Sequence, residues 1–225
     1  MSFAHSPQIV TNGLVLALDA GNIKSYVSGS TTWFDKSGYV NNGTLTNGPT
    51  FNSANGGSIV FDGVDDYVNI PDNSSGDLTD ELTISSFIKS NGSWIQYGGI
   101  LEKKNSYEFT TQSSGVLEFG IVVGGLFNEV VSSFALAQNT WYHVAMTFNT
   151  AANETKFYVN GALDITRTHT ANITANNEPI NVGASIGGAP QYYRGSISNV
   201  QLYNRALSAQ EVLQNYNALR GRFGI

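Results

Sequence analysis

The chain has 225 residues, a formal net charge of −6 and no cysteine. The lack of cysteine excludes disulfides, cysteine-ligated zinc and thiol catalysis. The acidic balance argues against a nucleic-acid partner, which would need a clustered basic face. A chain of this length suits one all-β domain, so we predict a single domain over residues 1–225 with a core at 13–217 and short arms at both ends.

The sequence contains no recognisable targeting or membrane segment. Residues 1–11 combine neither the basic start nor the apolar run of a signal peptide. No apolar stretch approaches the roughly 18 residues that a transmembrane helix needs. We therefore expect a protein without a signal peptide, a transmembrane segment or a membrane partner.

The first third of the chain shows short apolar runs between turn residues. Residues 13–18 form a continuous apolar run, which is typical of a strand buried on both faces. Residues 43–45 are predicted to form a short edge strand. Runs at 58–61 and 67–70 are rich in β-formers and flank an acidic turn that contains glycine. This pattern predicts a hairpin at the centre of the chain.

Alternation is clearest in the middle of the chain. Residues 82–89 and 141–149 each place apolar side chains on one face, and the pattern at 115–123 is stricter still. Residues 99–103 and 106–111 are predicted to pair as a hairpin around Lys104 and Asn105.

The last third predicts a hairpin, an irregular strand and a helix. Asn160-Gly161 is the strongest hairpin signal in the chain, and the alternation in residues 196–204 slips in a way that suggests a bulge. Ser208 and Glu211 fit a capping box that starts a helix, which we expect Gly221 to end. About a dozen strands with turns between them indicate an antiparallel two-sheet β-sandwich, or jelly roll, with one short C-terminal helix.

Five segments in order resemble a known family. These are residues 15–22, 61–68, 141–145 (WYHVA), 157–161 (FYVNG) and 197–212 (ISNVQLYNRALSAQEV). Together they resemble the laminin-G-like, concanavalin A-like lectin/glucanase superfamily over nearly the whole chain. The resemblance implies a jelly roll, a fold that serves lectins, hydrolases and adhesive modules alike.

The opening residues resemble a subgroup of that family found in tailed-bacteriophage virions. The similarity covers residues 5–16, 24–26 and 41–51, with departures at Val27 and at Tyr39-Val40. It implies a virion structural protein, as a capsid decoration or a tail or fibre component, made in the host cytoplasm. The implied partners are other virion proteins, in a homo-oligomer or in many copies on the particle.

Hydrolytic members of the superfamily carry closely spaced carboxylates on one strand, in an E-x-D-x-x-E pattern that supplies a nucleophile and an acid/base. This chain has no such spacing, because Glu102, Glu108 and Glu118 lie on separate predicted strands. We expect Glu108 and Glu118 to be exposed on the solvent face of a sheet and His143 to be structural. We therefore predict no catalytic residues, with a glycan hydrolase as the least favoured alternative.

Three carboxylates crowd into the central turn. Asp62, Asp65 and Asp66 are hard oxygen ligands of the kind that Ca²⁺ prefers, and laminin-G-like domains often hold Ca²⁺ at a rim. The competing interpretation is that Asp62 hydrogen-bonds the turn backbone and Asp66 caps the next strand. Asp19 and Asp35, each beside a turn, are weaker candidates.

Carbohydrate binding needs aromatic platforms beside polar groups. Trp94 and Tyr97 follow the Asn91-Gly92 turn, and Tyr192 and Tyr193 follow the loop at 187–190, so both pairs are predicted sugar contacts at loop rims. Alternatively they seal the ends of the sandwich or pack on a neighbouring subunit. The function predicted first is a non-enzymatic virion protein that contacts host-surface glycans, and the alternative is a Ca²⁺-assisted carbohydrate-binding module.

Overall fold

A computed structural model describes residues 7–186 and 190–225. Within these residues the chain forms eighteen strands, one α-helix and three short 3-10 turns. In chain order the elements are β1 (Leu14–Asp19), β2 (Thr32–Trp33), β3 (Gly43–Thr46), β4 (Thr50–Asn52), a 3-10 turn at Ala54–Gly56, β5 (Ser58–Asp62), β6 (Tyr67–Ile70), a 3-10 turn at Ser74–Gly76, β7 (Glu81–Ser90), β8 (Gly98–Lys103), β9 (Tyr107–Thr111), β10 (Leu117–Val123), β11 (Leu126–Val131), β12 (Tyr142–Asn149), β13 (Glu154–Val159), β14 (Ala162–Thr168), β15 (Ile180–Val182), β16 (Ala184–Ser185), β17 (Gln191–Tyr192), β18 (Arg194–Tyr203), α1 (Ala209–Leu219) and a 3-10 turn at Arg220–Arg222.

Two antiparallel sheets of eight strands make up the sandwich. The first sheet has the order β14-β13-β12-β7-β18-β5-β4, and β1 also pairs with β18. The second sheet has the order β11-β10-β9-β8-β15-β6-β3-β2. A small ribbon of β16 and β17 stands apart from both. The predicted all-β, antiparallel jelly roll with one C-terminal helix is therefore confirmed.

The main core lies between the two sheets. Each long strand sends alternate side chains into it, as the alternation predicts: Leu117, Phe119 and Ile121 from β10 are fully buried there. The opposite face of the first sheet is buried in turn by α1 and the chain ends, where Val212 and Leu207 pack together. The run at β1 is accordingly buried on both faces.

The predicted central hairpin is wrong. β5 pairs with β4 and β18 in the first sheet, whereas β6 pairs with β3 and β15 in the second. Residues 63–66 therefore cross from one sheet to the other instead of turning within one. Ile59 and Val68 are both completely buried in the core that the two sheets share. Both runs are therefore rich in β-forming residues, as the two strands of a hairpin would be.

The C-terminal predictions are largely confirmed. Asn160 and Gly161 both have positive φ and join β13 to β14, and the register of β18 shifts between Ile197 and Asn199. Ser208 and Glu211 form the predicted capping box. Gly221 does not end the helix, because α1 ends at Leu219 and Gly221 lies inside the 3-10 turn that follows.

None of the helices in the described residues has the length and apolar character needed to cross a membrane.

Candidate functional site

A row of polar residues runs across the second sheet, on the face turned away from the core. Residues that pair directly across neighbouring antiparallel strands project to the same face. Following the pairs from β2 to β11 gives Thr32, Thr44, Asn69, Asn181, Glu102, Glu108, Gly120 and Glu129. We call these eight residues the polar row, and it contains the carboxylates nearest to an open groove.

The groove has a volume of about 480 Å³ and lies over the β8–β11 end of the polar row. The ribbon of β16 and β17 covers one side: a β-carbon on Gly99 would come within 2.1 Å of the Ala184 carbonyl carbon. Phe127 from β11 covers the other side, and Tyr97 also lines the groove. The groove therefore combines two aromatic rings with a carboxylate-rich floor.

Two carboxylates of the polar row hold the covering ribbon in place. Glu108 Oε2 accepts a hydrogen bond of 2.8 Å from Ser185 Oγ, and Glu102 Oε2 accepts one of 2.7 Å from the Ile186 backbone N–H. Hydrogen bonds to a charged acceptor are stronger than those between neutral groups. The carboxylates thus fix the wall of the groove as well as lining it.

Burial dominates the electrostatics of Glu108. Loss of solvent raises the pKa of Glu108 to about 7; the Ser185 hydrogen bond opposes this rise, and the neighbouring carboxylates of Glu102 and Glu129 add to it. Burial in low dielectric disfavours the charged form of an acid. Near neutral pH this carboxyl group is therefore divided between its protonated and ionised forms.

Glu118 lies beside this floor and is completely buried. Burial raises its pKa, and contact with the Glu129 carboxylate raises it further, against a hydrogen bond from Gln112. The expectation that Glu108 and Glu118 would be exposed on a solvent face is wrong, since their exposed fractions are 8% and 0%. Alternation correctly placed both off the core face, but segments distant in sequence cover that face.

The four aromatic residues predicted to contact sugar separate into two pairs. Trp94 and Tyr193 are 4% and 1% exposed, and the Trp94 indole donates to the Leu136 carbonyl. Both belong to the core, so their prediction as sugar contacts is wrong and the alternative that they seal the sandwich holds for them. Tyr97 is 38% exposed and lines the groove. Tyr192 is half-buried in β17.

Asp62, Asp65 and Asp66 do converge at the crossing between the sheets. One carboxylate oxygen from each lies within 4.8 Å of the others. Asp62 Oδ1 accepts from the backbone N–H of Val64, and Asp66 Oδ2 accepts from that of Asp62. The turn-stabilising interpretation therefore holds for Asp62, whereas Asp66 accepts from the end of β5 instead of capping β6. The other carboxylate oxygens of the cluster fit the oxygen ligands that Ca²⁺ prefers.

The two weaker acidic candidates have structural partners. Asp19 pairs with Arg222 at 2.9 Å. Asp35 is buried and accepts from the backbone N–H groups of Ala17, Ser37 and Asn41. Neither presents an open set of oxygen atoms.

The histidines do not form a catalytic arrangement in the described residues. His143 is buried against Ser85 Oγ, 2.9 Å from its Nε2, and burial lowers the pKa of His143 to about 3. The structural role predicted for it agrees with this setting. His169 is also buried, although its segment reads as polar. His5 lies outside the described residues.

Sequence reasoning missed part of the groove. Phe127 and Glu129 lie on β11, which was not predicted because its six residues are mostly exposed and lack a core face of their own. The available signal was Gly124-Gly125 between two apolar runs, because two glycines suit a tight hairpin turn. Both glycines do adopt positive φ there. Ser185 and Gln191 reach the groove from the separate ribbon, and nothing in their local sequence indicates that position.

Several solved structures share this fold. Domain 4 of AbnA, an extracellular GH43 arabinanase from Geobacillus stearothermophilus solved with arabinotriose, matches with a TM-score of 0.70 and 15% identity, covering 94% of this chain and 100% of that domain. The binding domain of Paraclostridial Mosquitocidal Protein 1 matches at 0.68 and 17%, covering 92% of this chain and 52% of its own. The botulinum neurotoxin serotype D ligand-binding domain with N-acetylneuraminic acid matches at 0.69 and 16%, covering 92% and 51%.

These likenesses establish the fold alone, because fold does not determine function at such identities. The chain spans about half the length of the toxin binding domains that it matches. A comparison with curated protein sequences gives no match. A family model described as the concanavalin A-like lectin/glucanases superfamily matches residues 62–213, more than half of the chain. The chain belongs to the concanavalin A-like lectin/glucanases superfamily.

Proposed function

We propose that this chain is a non-enzymatic glycan-binding module and that its ligand lies in the groove over β8–β11. One observation carries the proposal: the exposed rings of Tyr97 and Phe127 flank a floor of carboxylates in a groove of about 480 Å³. Aromatic rings present an apolar surface for stacking, and nearby polar groups orient a ligand by hydrogen bonds. The arabinotriose complex of a domain with this fold supports the proposal by analogy.

The hydrogen bonds that Glu102 and Glu108 accept from the ribbon segment favour binding over hydrolysis. Each has an oxygen committed to the covering ribbon, whereas a glycosidase needs one carboxyl group facing each side of the scissile bond. The hydrolase alternative predicts release of reducing ends from a polysaccharide, abolished by Glu108→Gln or Glu118→Gln. We expect no release from the unmodified protein.

A glycan array tests the binding function directly. The protein is applied with and without Ca²⁺ to immobilised neutral, amino and acidic oligosaccharides. Single lectin sites often bind near millimolar, about −4 kcal/mol, so the protein should be presented in several copies to gain avidity. Retention of at least one glycan class is the expected result, and no retention under either condition contradicts the proposal.

We further propose that a virion displays the module. The support is the resemblance of residues 5–16, 24–26 and 41–51 to proteins of tailed-phage particles, together with an acidic chain unsuited to nucleic acid. Display in many copies, among other virion proteins, would supply the multivalency that weak single sites need. Co-purification of the protein with intact particles is expected, and its absence from purified particles contradicts this part.

Ca²⁺ at Asp62, Asp65 and Asp66 completes the proposed function. The three carboxylates converge within 4.8 Å, and bringing them together leaves mutual repulsion that a cation would offset. The bound ion would brace the crossing between the two sheets at the rim of the sandwich.

A further inference from the structure

The charge around the groove is one-sided. Among the described residues that line it, Glu102, Glu108 and Glu129 are acidic and Lys103 is the single base. The Lys103 ammonium points elsewhere, because Asp72 and Asp77 hold its Nζ at 2.6 and 3.0 Å. The groove therefore offers no available cation to an anionic ligand.

A buried acceptor beside the floor also lacks a donor. Glu118 is completely buried, its carboxyl group meets that of Glu129, and its Oε1 accepts no hydrogen bond from the described residues. An unpaired buried polar group costs free energy until a donor or a proton reaches it. Glu129, which is exposed at the groove, is the group through which a ligand donor would reach this pair.

The surrounding rings favour the same kind of ligand. Tyr97 and Phe127 are 38% and 47% exposed, and both line the groove beside the carboxylates. A ligand ammonium is attracted to carboxylates and to aromatic faces. A ligand carboxylate would meet repulsion from the ionised acids of the floor, with no available base among the described residues that line the groove.

We propose that the groove selects glycans bearing a free amino group and excludes glycans bearing carboxylates. This inference rests on the proposed glycan-binding function and specifies its ligand class. The amino group contacts Glu129 and Glu108, while the sugar ring stacks on Phe127 or Tyr97.

The test is calorimetry with four β-1,4-linked glucose-type tetramers. Three differ at carbon 2, as amine, acetamide or hydroxyl, and the fourth carries a carboxylate at carbon 6. At about pH 6.5 and low salt we expect the amino tetramer to bind roughly tenfold more tightly than the acetamide, the size of one charge-assisted hydrogen bond. The carboxylate tetramer should bind most weakly, and salt should reduce the preference for the amine.

A pair of variants assigns the preference to the groove. Glu129→Gln should lose most of the preference for the amine, whereas Glu154→Gln removes the same charge on β13, in the other sheet, and should keep it. Equal or tighter binding of the acetamide or carboxylate tetramer overturns the selectivity while leaving glycan binding intact. An unchanged preference in Glu129→Gln also overturns it. Failure of every tetramer and every array glycan to bind contradicts the proposed function itself, and the inference falls with it.

Discussion

The ring of Phe127 lies directly over Gly120. A β-carbon on Gly120 would come within 2.1 Å of Phe127 Cζ, so glycine at this place in the polar row lets the end of the ring approach the sheet this closely. We expect Gly120→Ala to displace the ring and to weaken glycan binding on the order of tenfold, as the loss of one aromatic anchor does.

Calorimetry on Gly120→Ala checks this prediction. Gly221→Ala is the matched control, because nothing lies within 4 Å of a β-carbon there and its φ is ordinary. An affinity equal to that of the unmodified protein would show that the position of the Phe127 ring does not matter to the ligand.

The raised pKa of Glu108, about 7, predicts a pH-dependent stability difference. The folded state holds a proton on Glu108 between about pH 4.5 and 7 that the unfolded chain releases, so the contribution of Glu108 to the free energy of unfolding falls as pH rises through that window. Glu108→Gln removes this loss. As the pH rises from 4.5 to 8, the free energy of unfolding of the variant, relative to that of the unmodified protein, should therefore increase by on the order of 3 kcal/mol.

Urea unfolding at pH 4.5, 6 and 8 measures that difference. The pKa values of buried His143 and His169 are lowered, so their titration makes stability rise with pH, opposite to the effect of Glu108. Both proteins contain these histidines, so the difference between the two unfolding free energies isolates Glu108. The groups that interact with Glu108 are Glu102, Glu118, Glu129 and Ser185, which the variant retains. A difference that stays constant with pH contradicts the assignment.

Asp35 should be among the loop positions at which substitution lowers the free energy of unfolding most. Its two carboxylate oxygens accept from the N–H groups of Ala17, Ser37 and Asn41 and from Ser37 Oγ, at 2.6 to 3.0 Å. Asp35→Ala leaves buried donors unpaired, and we expect a loss of about 3 kcal/mol or more in the free energy of unfolding. Asp65 is exposed, and Asp65→Ala, measured in EDTA, should change the free energy of unfolding by less than about 0.5 kcal/mol. Similar effects for both variants would contradict this prediction.

Ca²⁺ should raise the melting temperature at millimolar concentrations, the affinity range of extracellular Ca²⁺ modules, roughly 10⁻⁴ to 10⁻³ M. Asp65→Asn should abolish the effect, because the Asp65 side chain is exposed and, unlike those of Asp62 and Asp66, accepts no turn hydrogen bond from the described residues. Differential scanning calorimetry in EDTA and in Ca²⁺ makes the comparison. An equal rise in the melting temperature of Asp65→Asn would show that Ca²⁺ binds elsewhere.

The sandwich could be predicted from local pattern, but the groove could not. Alternation put Leu117, Phe119 and Ile121 on the core face, and the capping box located the start of α1. The same alternation cannot show that Ala184 crosses Gly99 or that Phe127 covers Gly120. Both contacts join segments whose relation depends on tertiary structure.

The same limit explains the central run. A local pattern shows that residues 58–61 and 67–70 are strands, but not whether they pair with each other. Each run has one partner, β18 or β15, that lies more than a hundred residues away. The acidic residues at Asp62–Asp66 therefore became recognisable as a crossing between sheets only in three dimensions.

The central claim is that the groove is the glycan site, and one comparison tests it most directly. The tightest glycan from the array is titrated by calorimetry into Phe127→Ala and Leu126→Ala, which remove neighbouring exposed side chains of the same strand, only the first of which lines the groove. We predict that Phe127→Ala loses about tenfold or more in affinity and that Leu126→Ala binds as the unmodified protein does. Unchanged binding by Phe127→Ala, or an equal loss in both variants, would contradict the account.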